Sequence, residues 1–258
     1  MNRHRVPLKP YSAIFPIAWV DLSTYCNAAC PQCHRTGVST GKKQNWLPLI
    51  QWSLECFKRR FDDMKLIKEF EFCGTWGDPV MNKDLLEICR YIIENSNATI
   101  DISTNGSIRD EDWWWELGSI CRDRLRVVFA IDGINQEMHE KYRQNTDLEK
   151  IKKNAIMLSH TPAKIKIHTI LFKHNERYCQ AIRDMVEKDW GIALYDETID
   201  HLVTESQRFW HGNTMKFKTA DGKEDVLEQI TDFANPVLDT RGPNIVDYRR
   251  RSNDKNSL

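Results

Sequence analysis

Five times between Ile14 and Asp189, a short apolar or β-branched run leads into a stretch with helical spacing. The runs are Ile14 to Leu22, Phe70 to Cys73, Ala98 to Ser103, Leu125 to Ile131 and Lys164 to Phe172. Between them, Leu54, Phe57, Phe61 and Met64 recur at three- and four-residue steps, which puts them on one helical face. Pro48 suits the first turn of that helix. Leu85, Ile88 and Ile92 mark a helix over Lys83 to Glu94, and others are expected over Asp110 to Arg122 and Arg177 to Asp189. Thr146 to Glu149 has the form of a capping box that opens a helix carrying Leu148, Ile151, Ala155 and Leu158. A strand and a helix repeating every ~30 residues call for parallel strands joined by right-handed crossovers. The expected fold is therefore α/β. Ile192 to Leu194 offers a sixth strand, and Lys216 to Lys218 with Asp221-Gly222 a small hairpin.

The expected organisation is a core domain over 10–195, a short C-terminal extension over 196–240, and a disordered polar tail over 241–258. The 258 residues suit one large α/β domain or two small ones. Lys and Arg number 37, as do Asp and Glu, so the formal net charge is zero and no strong nucleic-acid or membrane-surface signal is present. No apolar run approaches the ~20 residues that span a bilayer. Met1 to Lys9 is basic and Ala13 to Val20 apolar, but Pro16 interrupts that stretch, which reads as a buried strand rather than a leader. Eight cysteines are too sparse for a disulfide scaffold, and three of them cluster as metal ligands do, which points to a reducing cytoplasm.

Those three are Cys26, Cys30 and Cys33, in Tyr-Cys-Asn-Ala-Ala-Cys-Pro-Gln-Cys-His-Arg from Tyr25 to Arg35. A C-x3-C-x2-C loop can aim three thiolates at one place, and thiolates select iron–sulfur clusters or zinc. A four-iron cluster usually takes four cysteines, so three would leave one iron open to a non-protein ligand. With His34 added, the same residues make an ordinary Cys3His zinc set. The loop alone supports both readings. A strand delivering a ligand loop from its C-terminal end is the usual place for an α/β active site.

The later turns add to the loop. Gly74-Thr75-Trp76-Gly77-Asp78-Pro79 follows the second strand, Ser103-Thr104-Asn105-Gly106 the third, and Asp132-Gly133 the fourth, with Arg143 eleven residues on. In this order they resemble the radical S-adenosylmethionine (SAM) superfamily, whose fold is an open partial (β/α)6 TIM-type barrel. The resemblance spans about residues 14 to 190. It is nearest to the SPASM-type branch of peptide-modifying and sulfatase-maturing enzymes. It implies one [4Fe-4S] cluster on Cys26, Cys30 and Cys33, with SAM chelating the open iron. SAM contacts are implied for Gly74, Thr75, Trp76, Gly77, Asp78, Ser103, Asn105, Asp132 and Arg143, and Asn175 is a further candidate for the adenosine end.

The implied activity is reductive cleavage of SAM and removal of hydrogen from an unidentified substrate, with a peptide favoured over a nucleotide or sugar. A reductant such as flavodoxin or ferredoxin is implied as partner. The alternatives are a zinc-stabilised binding module and an iron–sulfur electron carrier that leaves SAM intact.

Four departures from the family pattern stand out. Asp78 replaces the usual Glu, Ala130 the usual Ser, and Gln32 the aromatic that often precedes the third cysteine. No cysteine lies in Gly191 to Leu258, where that branch carries a cysteine-rich extension, so a single cluster is expected. Cys73, Cys89, Cys121 and Cys179 read as small core residues. Trp113 to Trp115 run around a helix, so at least one is expected on the surface.

Overall fold

The computed structural model describes residues 16–195, the backbone of strand 202–205, and residues 212–231. Six parallel strands form one sheet in sequential order. They are β1 (Ile17–Trp19), β2 (Glu69–Phe72), β3 (Thr99–Thr104), β4 (Leu125–Ala130), β5 (Lys164–Leu171) and β6 (Leu202–Glu205). Helices α1 (Leu54–Arg60), α2 (Leu85–Asn95), α3 (Glu111–Cys121), α4 (Gln136–Glu140), α5 (Leu148–Ser159) and α6 (Cys179–Asp184) lie between the strands. An antiparallel pair, β7 (Thr214–Lys218) and β8 (Glu224–Glu228), makes a separate hairpin. Among the described residues β1 and β6 do not pair, so the sheet is an open partial barrel.

Burial follows the strand period of two. β2, β3 and β5 alternate strictly between half-buried and buried positions. The buried set includes Phe70, Phe72, Ile100, Ile102, Ile165 and Ile167, and it packs against Phe57, Ile88, Ile92, Trp114, Leu117, Ile151, Leu158 and Ile182 from the helices. That is one apolar core between sheet and helices, each large side chain contributing about 1.5–3 kcal/mol. Trp114 is fully buried and Trp115 exposed. Cys89, Cys121 and Cys179 are buried, while Cys73 sits half-buried on the other face of the sheet.

Several expectations change. The sixth strand is Leu202–Glu205, because β5 pairs there; Leu194 makes only a single bridge to Ile165. Helix α1 starts at Leu54 behind the N-cap Ser53, well past Pro48, and Met64 is buried beyond its end. The cap of α5 is Asp147, whose carboxylate accepts from the Lys150 amide. Thr146 turns its hydroxyl to the Arg143 carbonyl and His139 instead. The hairpin falls where Lys216 to Lys218 and Asp221-Gly222 place it. Of the expected organisation, the polar tail over 241–258, the start of the core domain over 10–15, and 196–201, 206–211 and 232–240 lie outside the described residues. No helix among the described residues is long and apolar enough to cross a membrane.

Candidate functional site

The cysteine loop leaves the C-terminal end of β1 and is tied down at both ends. Arg35 donates from Nε and Nη2 to the Thr24 carbonyl at 3.2 and 3.0 Å. The Cys33 amide reaches the Cys30 carbonyl at 3.0 Å and the Thr36 amide the Cys33 carbonyl at 2.9 Å, which coils the second half of the loop. On the far side, the Ala29 amide donates to the Gln144 carbonyl at 3.0 Å, and Asn27 Nδ2 to the Asn145 carbonyl at 3.3 Å. The loop is thus fixed to the segment after α4, over a hundred residues away.

Cys30 is buried and Cys26 and Cys33 are half-buried. All three pack with Ala28, Tyr142, Phe172, Phe217 and Leu227. Burial raises the thiol pKa of Cys26 far above its usual value, and the Asp78 charge adds to the shift. Burial also raises Cys30 to about 11, against the pull of the Arg143 cation. Coordination to a metal displaces such protons.

Among the described residues no three His, Cys, Asp or Glu side chains converge on a single-ion site. A tetrahedral zinc needs sulfur donors about 3.8 Å apart, from its 2.3 Å bonds. The would-be zinc ligand His34 lies against Trp76, ring centroids 6.0 Å apart. Three thiols on one tethered loop, backed by apolar side chains and near the Arg143 cation, match the donor set of a larger iron–sulfur cluster.

The turn after β2 is joined to the base of this loop. The Asp78 amide donates to the Tyr25 carbonyl at 2.7 Å. A Cβ on Gly77 would stand 2.1 Å from the Ser23 carbonyl oxygen, so only glycine admits this approach. Gly74 turns the chain with φ +65°. The Trp76 amide faces Asp21 Oδ1 at 3.4 Å, and its ring meets Trp46 edge-on at 5.5 Å. Thr75 is exposed, its hydroxyl 3.6 Å from Cys73 Sγ.

Asp78 is 4% exposed, and its carboxylate is already used within the fold. It accepts from Thr104 Oγ1 at 2.9 Å, the Asn105 amide at 2.9 Å, Asn105 Nδ2 at 2.7 Å and the Val80 amide at 3.0 Å. It holds the turn after β3 against the turn after β2. Asn105 in turn reaches Asn27 Oδ1 at 2.9 Å and lies 3.8 Å from Cys26 Sγ. Ser103 stays half-buried on the helix-free face of β3.

A second buried carboxylate organises the other side. Asp132 is fully buried; Oδ1 accepts from the Ile170 amide at 2.6 Å and Oδ2 from Arg143 Nε at 2.5 Å. Arg143 Nη1 lies 4.0 Å from Cys30 Sγ, and the guanidinium carbon 5.1 Å from the Tyr142 ring. The paired carboxylate and the nearby thiol raise the Arg143 pKa further despite its burial. Asn175 is buried, bonding the Asp132 and Ile170 carbonyls at 3.0 and 2.9 Å, while its Oδ1 takes the Phe172 amide at 2.7 Å. It closes the end of β5 rather than capping α6, which begins behind Tyr178.

The structure thus brings the cysteine loop, Gly74 to Asp78, Asn105, Asp132 and Arg143 to one end of the sheet. Sequence reasoning missed His139, buried on short α4, which takes the Asp132 amide on Nδ1 at 3.2 Å and meets Thr146 Oγ1 through Nε2 at 3.0 Å. Burial lowers its pKa to about 4, so the ring is neutral. It also missed the hairpin's part: Phe217 and Leu227 pack on the cysteine loop, and the Lys218 amide donates to the Val38 carbonyl at 2.8 Å. Asn27, inside the quoted motif, was the one signal within reach.

No family model matches the chain. Curated relatives do. It is 26% identical to a probable GTP 3′,8-cyclase of Methanocaldococcus jannaschii, over 57% of this chain and 47% of that protein. It is 24% identical to a cysteine-type anaerobic sulfatase-maturating enzyme of Clostridium novyi, over 70% of this chain and 50% of that one. The chain spans about half the length of these relatives. Among solved structures, anSMEcpe with bound AdoMet superposes with TM-score 0.52 and 18% identity, covering 73% of this chain and 49% of that one. Methylornithine synthase (PylB) does so with TM-score 0.53 and 13% identity, covering 73% and 52%. With its three-cysteine loop at the head of β1 and six parallel strands in sequential order, the chain is similar to radical SAM enzymes.

Proposed function

We propose that this chain is a radical SAM enzyme that holds one [4Fe-4S] cluster on Cys26, Cys30 and Cys33 and binds SAM beside it. The observation that carries the reading is the convergence of the cysteine loop with Asn105 and Arg143 at one end of an open parallel sheet. Bound together, the cluster and SAM supply one-electron reductive cleavage and removal of hydrogen from a substrate carbon.

The chain's own residues have separable tasks. Arg143 is pinned through Nε by Asp132, which leaves its remaining edge to receive a carboxylate. Gly74 to Gly77 present backbone carbonyls and the Trp76 ring, the groups suited to an ammonium and a flat base. Asp78 positions Asn105 rather than meeting a ligand, since its oxygens are already in use. Ser103 faces the inner side and remains a candidate contact. Phe172, Phe217, Leu227 and Tyr142 exclude water from the cysteine loop. A reductant such as flavodoxin or ferredoxin, a cytoplasmic location and a core domain over 10–195 followed by an extension over 196–240 complete the proposal. The relatives favour no single substrate, since they include cyclases and a sulfatase-maturating enzyme.

Anaerobic reconstitution tests this. The wild-type chain is expected to carry one cluster, about four irons, and to lose it when all three loop cysteines become alanine. Arg143→Ala is expected to retain iron but bind SAM about tenfold or more weakly, the loss of a charge-assisted contact. Full iron in the triple variant, or no methionine released from SAM by the reduced wild-type protein, overturns the reading.

A further inference from the structure

The helix-free face of the sheet has a composition that the core side does not prepare for. Barrel interiors are ordinarily filled by layers of bulky branched side chains. Here a single cross-strand row runs Trp19, Glu71, Asp101, Arg126, Lys164 across β1 to β5, each the register partner of the next. All five lie on the half-buried or exposed side of their strands, and Trp19 is 69% exposed. In the middle of the row Arg126 forms an ion pair with Asp101, Nε to Oδ2 at 3.0 Å, and another with Glu69 from the position below Glu71.

The two ends are left over. The groups acting on the Glu71 carboxylate are its burial, the like charges of Glu69 and Asp101, and the distant help of Arg126, with no hydrogen-bond donor among them. A carboxylate crowded by two others gains from a cation, and the exposed indole of its register partner Trp19 offers a cation–π face. At the other end, Lys164 Nζ sits 4.7 Å from the Tyr195 ring, with no carboxylate partner among the described residues. Glu71 and Lys164 are three strand spacings apart, about 14 Å between backbones, on the same face of the sheet.

Above this row the wall becomes small on β2 to β4, where Cys73, Ser103, Val128 and Ala130 follow on the same face toward the cysteine loop. On β5 the same face continues with Lys166 and His168, the register partners of Val128 and Ala130. At about 3.3 Å per residue, Asn105 stands ~13 Å above Asp101. That separation exceeds the length of an amino acid.

We propose that this floor selects the substrate: a small dipolar molecule whose ammonium end meets Glu71 and Trp19, and whose anionic end, carboxylate or phosphate, meets Lys164. The proposal rests on the reading of the chain as a radical SAM enzyme and narrows its substrate class. Glu71 and Lys164 are specificity residues at the two ends, and the carbon chain between them faces the small-residue wall and the cysteine loop.

The test uses the full chain and ligand-observed NMR with 6-aminohexanoate, hexylamine, hexanoate and 6-aminohexyl phosphate. 6-Aminohexanoate is expected to bind about tenfold or more tightly than either single-charge probe, the loss of one charge-assisted contact in each case. Glu71→Gln is expected to lower its affinity to that of hexanoate, and Lys164→Met to that of hexylamine. The phosphate probe decides which anion is preferred. Trp19→Ala, a surface change that spares the fold, is expected to weaken both amine-bearing acids while leaving hexanoate unchanged. Equal binding of all the probes, no binding of any, or indifference to both charge substitutions overturns the proposal. Methionine release from SAM by the wild-type chain reads the enzyme assignment separately. Release without probe discrimination sinks only the floor; discrimination without release sinks only the enzyme reading.

Discussion

The two faces of the sheet are built from the same strands yet answer to different demands. On the helix side, Phe70, Phe72, Ile100, Ile102, Ile165 and Ile167 are all but inaccessible. On the other, Glu69, Glu71, Asp101, Arg126, Lys164 and Lys166 alternate with them and stay half-accessible. Parallel strands covered on both faces read as continuous apolar runs. The alternation here says that one face holds the fold together and the other is reserved for something that is not core. β4 is the exception, buried at Val127 to Ala130, where it passes beneath the Asp132 and Arg143 pair.

The sharpest test of that division compares truncations on the two faces. Phe72→Ala should cost about 3–5 kcal/mol in urea unfolding, with an unchanged m-value, as a buried aromatic deletion does. Trp19→Ala removes a larger ring from the open face and should stay within about 0.5 kcal/mol. Similar costs would mean that the open face is packed after all.

At the rim where the faces meet, Asp132→Asn should cost about 3 kcal/mol, because the Arg143 guanidinium is left buried without its counter-charge. Replacing Lys173, whose ion pair with Glu228 is half-exposed on both sides, should cost a few tenths at most, about 0–1 kcal/mol being usual for such pairs. If the Asp132 loss were as small, the pair would not be holding the site.

The gentlest probe is pH. The Glu71 carboxyl is raised above its ordinary 4.5 by burial and by Glu69 and Asp101, with Arg126 opposing. The folded state therefore holds that proton more tightly than the unfolded chain. Its contribution is complete below the ordinary pKa and is lost as pH rises through the folded value. Glu71→Gln should flatten stability in the window just above pH 4.5 and leave the protein slightly more stable at neutral pH. Thermal unfolding across that range checks it; a steeper profile in the variant would show that Glu71 is satisfied as a carboxylate.

Much of this architecture was legible. Apolar and β-branched runs and period-3.6 spacing place β2, β3, β5, α2, α3 and α5 close to where they lie, since each reports which segment meets a core. Short elements were not legible. α4 has five residues, too few to show a period, and it carries the buried His139. The capping box at Thr146 failed because two oxygen-bearing side chains compete there, and the one with a free path to the α5 amides is Asp147.

The site divides in the same way. The spacing of Cys26, Cys30 and Cys33 by itself confines three thiols to one loop, and the strand–helix repeat by itself calls for a parallel sheet. Those are local facts, set by steric period and chain length. Tertiary structure alone decided that Asp78 is used up on Thr104 and Asn105, that Asp132 pins Arg143, that Phe217 and Leu227 seat on the cysteine loop, and that Glu71 and Lys164 end a row whose middle is neutralised. Each of these is a pairing between separate segments, from eleven residues apart for Asp132 and Arg143 upward. A local pattern records that a side chain wants a partner; only the assembled fold supplies which one.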